Sequence, residues 1–231
     1  MNNIKHVIVC GGASHPPLDQ IAELINQLAD SFFLIGVDRG SLVLTQSGYH
    51  LDHAFGDFDS VSENEREFII HHTTEVHSFP SAKDDTDMEL ALAWAHMAAP
   101  DAKFHLFGAV GYQVGRLDHL LANIWLAYQP RYQDIIDRLT LYHPHNRVTF
   151  LKPGLHQLKP NDKYDYLSLI SMTPMQALQI RGAKYPLAST DYSYPRALIS
   201  NEFLGQPVEV SFTSGLMMVI LAQEDKVLEP E

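Results

Sequence analysis

The chain has 231 residues, 45% of them apolar, and its 28 Asp and Glu against 16 Lys and Arg give a formal charge of −12. That length holds one large or two small domains with buried cores. So acidic a chain repels nucleic-acid backbones and anionic lipid, so neither nucleic acid nor membrane is expected as a partner, and any phosphate it handles needs metal ions.

Met1 to His6 lead into a short apolar run without the features of a signal peptide. The longest apolar run, Leu216 to Ala222, has the length of a buried strand, far from the roughly 20 residues of a membrane span. The single Cys10 has no partner for an intrachain disulfide and reads as a buried thiol, so a cytoplasmic location is expected.

In the first half, strand-like runs alternate with helical patterns. His6 to Cys10 is closed by Gly11-Gly12, and Leu18, Ile21, Ala22, Ile25 and Leu28 then recur at helical spacing. Phe32 to Val37 ends at Asp38-Arg39-Gly40. The short segment Ala54-Phe55 ends at Gly56-Asp57-Phe58-Asp59-Ser60, and Glu63 to Glu67 follow as the start of an exposed helix. Glu75 to Phe79 leads to Pro80 through Asp87, where Thr86 and Glu89 have capping-box spacing before a helix marked by Met88, Ala91, Leu92 and Ala95. Lys103 to Phe107 gives way to Gly108–Gly111 and a helix from about His119 to Tyr128, and Arg138 to Tyr142 is the sixth run.

Such alternation predicts a parallel sheet flanked by helices, a Rossmann-like α/β domain over residues 1–144. Gly11-Gly12, Asp38, Asp57 with Asp59, Lys83–Asp87 and Gly108–Asp118 all follow carboxyl ends of predicted strands, the edge where open α/β sheets bind ligands. Residues 145–231 change character. Val148 to Leu151, Tyr166 to Ile170, Ala177 to Ile180, Val208 to Phe212 and Leu216 to Leu221 are short β runs between Pro/Gly/Asn/Asp turns, which predicts an all-β sandwich. Thr213-Ser214-Gly215 reads as a hairpin loop, and the charged tail Glu224 to Glu231 as frayed.

Asp57 and Asp59, two apart beside Gly56, suit a hard cation, since Mg²⁺ takes one or two carboxylates and completes its octahedron with water and phosphate. Turn-forming aspartates are the plainer reading, outweighed because Asp38 and Asp87 are expected at the same edge. Asp84, Asp85 and Asp87 also fit a helix's first turn without any ligand. Lys83 suits a phosphate or its acidic neighbours, and Arg116 suits either phosphate oxygens at a helix start or a surface pair with Asp118. No P-loop, G-x-G-x-x-G or G-x-S-x-G is present. An EF-hand fails at Val61, and His71-His72 and His143/His145 lack zinc spacing, so no zinc site is expected.

Gly36-Val37-Asp38-Arg39-Gly40, Gly56-Asp57-Phe58-Asp59-Ser60, Lys83-Asp84-Asp85-Thr86-Asp87, Gly115-Arg116-Leu117-Asp118-His119, Gly182 to Leu187 and Ser200-Asn201-Glu202 together resemble bacterial thiamine pyrophosphokinases, in family order over residues 36 to 202. The combination of G-D-F-D-S, D-x-T-D and G-R-x-D-H carries the specificity. The resemblance implies an α/β catalytic domain binding nucleotide and metal, a β-sandwich that binds thiamine and dimerises, a homodimer, and transfer of pyrophosphate from ATP to thiamine with release of AMP. It assigns Asp57, Asp59 and Asp87 to Mg²⁺ and catalysis together with Arg116. Asp38, Arg39, Lys83, Thr86 and Asp118 fall to the nucleotide and phosphate region, and Ser200 and Asn201 to the thiamine pocket. Tyr112-Gln113-Val114 lengthen the usual G-A-x-G-G-R loop by three residues.

Two other enzymes share parts of the pattern. A related diphosphokinase acting on another hydroxymethyl heterocycle would share fold and site. A haloacid-dehalogenase-type phosphatase would use Asp57 of D-x-D-x-[TV] as nucleophile, but that motif should follow a long strand, and Gly48 to His53 reads as a poor one. A regulator that binds without turnover has no evident need to hold like charges together.

Overall fold

The structure, a computed structural model, describes residues 4–13, 15–28, 31–109 and 116–224; the loop insertion at Tyr112–Val114 and nearly all of the tail lie outside them. The chain divides into two compact units, Met1–Pro144 and His145–Glu231.

The described residues of the first unit form a six-stranded parallel sheet built from β1 (His6–Cys10), β2 (Phe32–Val37), β3 (Leu51–Gly56), β4 (Thr73–Ser78), β5 (Lys103–Phe107) and β6 (Leu139–His143). Its helices are α1 (Leu18–Leu28), α2 (Arg39–Gln46), α3 (Glu63–His71), α4 (Asp87–Ala98) and α5 (Leu117–Trp125). The strand order is β6-β5-β1-β2-β3-β4. It reverses at β1, as doubly wound sheets do, but with three strands on the β2 side where the dinucleotide-binding order 3-2-1-4-5-6 has two.

Val7 to Cys10 of β1 are wholly buried, which a parallel strand covered on both faces requires. One face packs Ile8, Cys10, Leu34, Ala54 and Phe107 against Ile21 of α1, Leu42 and Leu44 of α2 and Ile69 of α3. The other carries Phe33, His53 and Phe55, on which Trp94 of α4 rests. Capping boxes start α3 at Ser62 and Glu65 and α4 at Thr86 and Glu89.

Three departures from the sequence reading stand out. Helix α2 was not anticipated, because Gly40, Ser41, Val43 and Thr45 are weak helix formers; burial of Gly40, Ser41, Leu42, Leu44 and Thr45 against the sheet holds it. Strand β3 starts at Leu51 rather than Ala54. Its polar residues have partners: Asp52 Oδ2 accepts the Leu34 N–H at 2.7 Å, and His53 is buried against Trp94. The last helix breaks into a 3₁₀ turn at Leu126–Tyr128.

The described residues of the second unit form eight strands: β7 (Asn146–Leu151), β8 (Gly154–Leu158), β9 (Tyr166–Ser171), β10 (Met175–Arg181), β11 (Leu187–Tyr192), β12 (Ala197–Asn201), β13 (Val208–Phe212) and β14 (Met217–Ala222). They form antiparallel layers in the orders β12-β9-β14-β7 and β11-β10-β13-β8. Leu167, Leu169, Met217, Val219 and Leu221 of the first share a core with Leu178, Ile180, Val208, Val210 and Phe212 of the second. Thr213-Ser214-Gly215 is therefore not a hairpin loop. β13 pairs with β8 and β10 while β14 pairs with β7 and β9, so the segment crosses between layers. Two successive apolar strands are equally compatible with pairing or with facing each other across a core. Gly215 is still needed, since its φ is +120° and a Cβ would lie 2.7 Å from Pro174 O. β8, β11 and β12 escaped the sequence reading because they are largely exposed and so lack an alternation of buried apolar residues.

Candidate active site

The carboxyl ends of β1 to β5 supply the walls of one cleft of about 610 Å³, lined by Gly11, Gly12, Asp38, Arg39, Asp57, Asp59, Ser81, Lys83 to Met88, Gly108, Ala109, Arg116 and Asn123 among others. At its floor β1 and β5 approach where the strand order reverses: Gly11 N–H donates to Phe107 O at 2.8 Å, and a Cβ on Gly108 (φ +60°) would lie 2.3 Å from Gly11 O. Only glycine allows both the backbone angle and the approach.

Asp38 leaves β2 with φ 48° and ψ −124° and precedes α2 without its side chain capping the helix. Its Oδ1 is buried with no hydrogen-bond partner, and a Cβ on Gly56 would stand 2.0 Å from that atom. Burial, reinforced by Asp87 and Asp57, pushes the Asp38 carboxyl up to about 7. Phe58, also left-handed at φ 58°, is buried in the core and anchors the loop by its ring, with Asp57 and Asp59 on either side lining the cleft. Asp57 accepts the Asp59 N–H at 3.1 Å, and this bond, with a hydrogen bond from Ser81 and the nearby charge of Lys83, holds its carboxyl below the usual range despite partial desolvation. Lys83 Nζ lies 3.1 Å from Asp87 Oδ2 and 3.9 Å from Asp57 Oδ2, and donates to Pro80 O at 3.1 Å. Asp87, in the first turn of α4, has its Oδ1 buried and unpartnered.

Converging carboxylates with two orphaned oxygens and one lysine fit a hard divalent cation, because desolvated like charges left without a counter-ion are costly. Asp57, Asp59 and Asp87 are not themselves closed into a ligand cluster: among the described residues, three donor atoms all within 4.8 Å of one another occur at a different place, His53, Glu75 and His77.

Other expected residues hold different posts. Thr86 Oγ1 accepts the Glu89 N–H and so caps α4, setting the turn that carries Asp87. Arg39 lines the cleft and donates to Ser60 O at 3.3 Å. Arg116 lines it too but is paired with Asp118 at 2.6 Å, both side chains well exposed; this is the surface pair that the sequence left open. Asp118 is not among the lining residues, and Asp85 is clamped by Arg131 at 2.7 and 2.8 Å. Ser200 and Asn201 belong to the second unit. Asn201 is buried, its Oδ1 accepting the N–H groups of Tyr185 and Glu202 at 2.9 Å while its Nδ2 donates to Tyr185 O at 2.8 Å. Ser200 is exposed, with φ 58°. Sequence reasoning missed Asn123, which lines the cleft and donates from Nδ2 to Ala109 O at 2.7 Å; an amide inside the apolar run Leu120 to Trp125 was the available signal. Ser81, a partner of Asp57, gave none.

Comparison with known proteins covers both units. The family model for the catalytic domain of thiamin pyrophosphokinase matches residues 24–137, and that for its vitamin B1 binding domain matches residues 155–217. Over 215 residues the sequence is 34% identical to the thiamine pyrophosphokinase of Bacillus subtilis (strain 168), covering 92% of this chain and 96% of that protein. The chain belongs to the thiamin pyrophosphokinase family. A crystal structure of a thiamin pyrophosphokinase family protein from Enterococcus faecalis superposes with a TM-score of 0.86 at 33% identity, over 96% of this chain and 100% of that one. The B. subtilis thiamine pyrophosphokinase structure gives 0.79 at 30% identity over 95% and 100%. The yeast thiamin pyrophosphokinase, at 13% identity and a TM-score of 0.74 over 98% and 89%, shows the shared fold alone.

Proposed function

We infer that the protein is a thiamine diphosphokinase, transferring the pyrophosphoryl group of ATP to the hydroxyl of thiamine and releasing AMP. The observation that carries this is the likeness to thiamine pyrophosphokinases over both units of the chain. Neither a phosphatase with Asp57 as nucleophile nor a kinase for another heterocycle is favoured by it.

In this reading Asp57, Asp59 and Asp87 hold Mg²⁺, whose charge offsets that of the polyphosphate. Lys83, already between Asp57 and Asp87, and the guanidinium groups of Arg39 and Arg116 meet phosphate oxygens as charge develops on them. Thr86 fixes the turn bearing Asp87, and Asp118 orients Arg116. Asp38, with one buried oxygen unpartnered and its carboxyl pushed up to about 7, completes the acidic wall of the nucleotide region. Catalysis is then positioning and electrostatics, with the thiamine hydroxyl in line with the β-phosphorus. Residues 145–231 supply thiamine recognition, Asn201 by fixing the Tyr185 loop and Ser200 by its exposed hydroxyl.

The reading includes a homodimer in the cytoplasm. Exposed Leu155, Tyr185, Tyr194, Ile199 and Leu204 on the second unit support self-association, and light scattering measures it. One buried cysteine and, among the described residues, no helix long and apolar enough to cross a membrane accord with that location. The test of function is incubation with ATP, Mg²⁺ and thiamine, followed by mass spectrometry. Thiamine diphosphate with stoichiometric AMP is expected; ADP or free phosphate instead refutes the reading.

A further inference from the structure

The sheet edge carries a cluster that the proposed reaction does not use. His53 on β3 pairs in register with Glu75 on β4, and His77 lies two residues further along the same face of β4. His53 Nδ1 and His77 Nε2 stand 3.2 Å apart, and the two Glu75 carboxylate oxygens lie 3.6 Å from His53 Nδ1 and 3.7 Å from His77 Nε2. Trp94 covers His53 at a ring separation of 3.9 Å and Phe55 stacks on His77 at 4.2 Å, while Glu75 stays 60% exposed at the rim.

We propose that His53, Glu75 and His77 form a binding site for a divalent transition metal ion of the zinc class, with water as fourth ligand. Two imidazole nitrogens bound tetrahedrally at the usual Zn–N length are about 3.3 Å apart, close to the separation present here. A direct bond between the rings would engage those two nitrogens and leave the carboxylate beyond hydrogen-bond reach of both, whereas one cation engages all three donors. Two imidazoles and one carboxylate select zinc-class ions over Mg²⁺, which prefers oxygen. Such an ion ties together the last two strands of the sheet, whose carboxyl ends lead to Asp57 and to Lys83–Asp87.

The experiment is titration of the full chain, free of any histidine tag and treated with chelator, with Co²⁺ followed by visible absorption, and with Zn²⁺ followed by thermal melting. One Co²⁺ per chain with the intense visible bands of four-coordinate cobalt is expected, with a rise in Tm on adding Zn²⁺. His77→Gln and the rim variant Glu75→Gln are expected to weaken Co²⁺ binding about tenfold or more, since even outer-shell partners are worth that. Asp59→Asn is expected to leave it unchanged. Equal binding by wild type and a folded His53→Gln/His77→Gln double variant overturns the proposal. So does weak binding lost in Asp59→Asn alone, which locates the ion in the carboxylate cleft. Neither readout depends on turnover, so failure here is separate from failure of the kinase reading.

Discussion

The two units bury their strands in different ways, and the difference decides how visible function is. In residues 1–144 the central strands are apolar on both faces, so charged groups collect where strands end, and the cleft takes residues from five such ends. In residues 145–231 alternate residues face out, as in β9, and polar side chains occur along the strands' whole length. An acidic residue after a strand of the first unit is a signal; a serine or asparagine on a strand of the second is background. The variants below test that contrast.

The largest effect is expected at the cleft. Asp59→Asn should cut thiamine diphosphate formation by roughly a thousandfold, on the order of 4 kcal/mol in barrier, while circular dichroism and Tm stay near wild type. Near-normal turnover would remove Asp59 from the proposed metal set. In the second unit the large effects should be on stability. Leu169→Ala, wholly buried, should cost about 3 kcal/mol in denaturant unfolding, against under about 0.5 kcal/mol for Leu155→Ala, which is 65% exposed. Equal costs would mean the alternation does not define that core.

Gly56→Ala joins stability to site geometry, because the added methyl meets Asp38 Oδ1. We expect a loss of about 2 kcal/mol in stability together with weakened nucleotide binding by calorimetry. A pH effect belongs to the first unit's interior. His105, bonded to His6 and Tyr142, is held down to about 4, by burial first and then by His6 and Lys103. A depressed histidine favours the neutral folded form, so its contribution is whole above the unfolded value near 6.5 and declines as pH falls from there toward 4. Between pH 7 and 5, wild type should therefore lose about 2 kcal/mol more than His105→Gln. A small, salt-sensitive effect is expected for Asp85→Asn, whose partner Arg131 is partly exposed: about 0.5 kcal/mol, shrinking as salt is added.

Much of the α/β unit was legible because apolar runs, glycine stops and capping boxes are local. Thr86 with Glu89 marked a helix start that the structure has at that position. What failed depended on distant partners. Helix α2 exists through packing against the sheet despite poor helix formers, and β3 begins three residues early because Asp52 finds the Leu34 N–H and His53 finds Trp94. The last two strands of the sandwich looked like a hairpin because sequence distance carries no information about which layer a strand joins.

By itself the sequence determined the class of each unit, the ends of strands where charge gathers, and the motif set by which the family is recognised, since these depend on periodicity and on residues close together in the chain. Only the tertiary structure decided which charges remain available and which are spent. It commits Asp85 to Arg131 and Asn201 to the Tyr185 loop, leaves Asp38 and Asp87 each with a buried oxygen unpartnered, and brings His53 beside Glu75 and His77 across two strands. Hydrogen bonds and desolvation depend on neighbours in space, and those neighbours are set by packing.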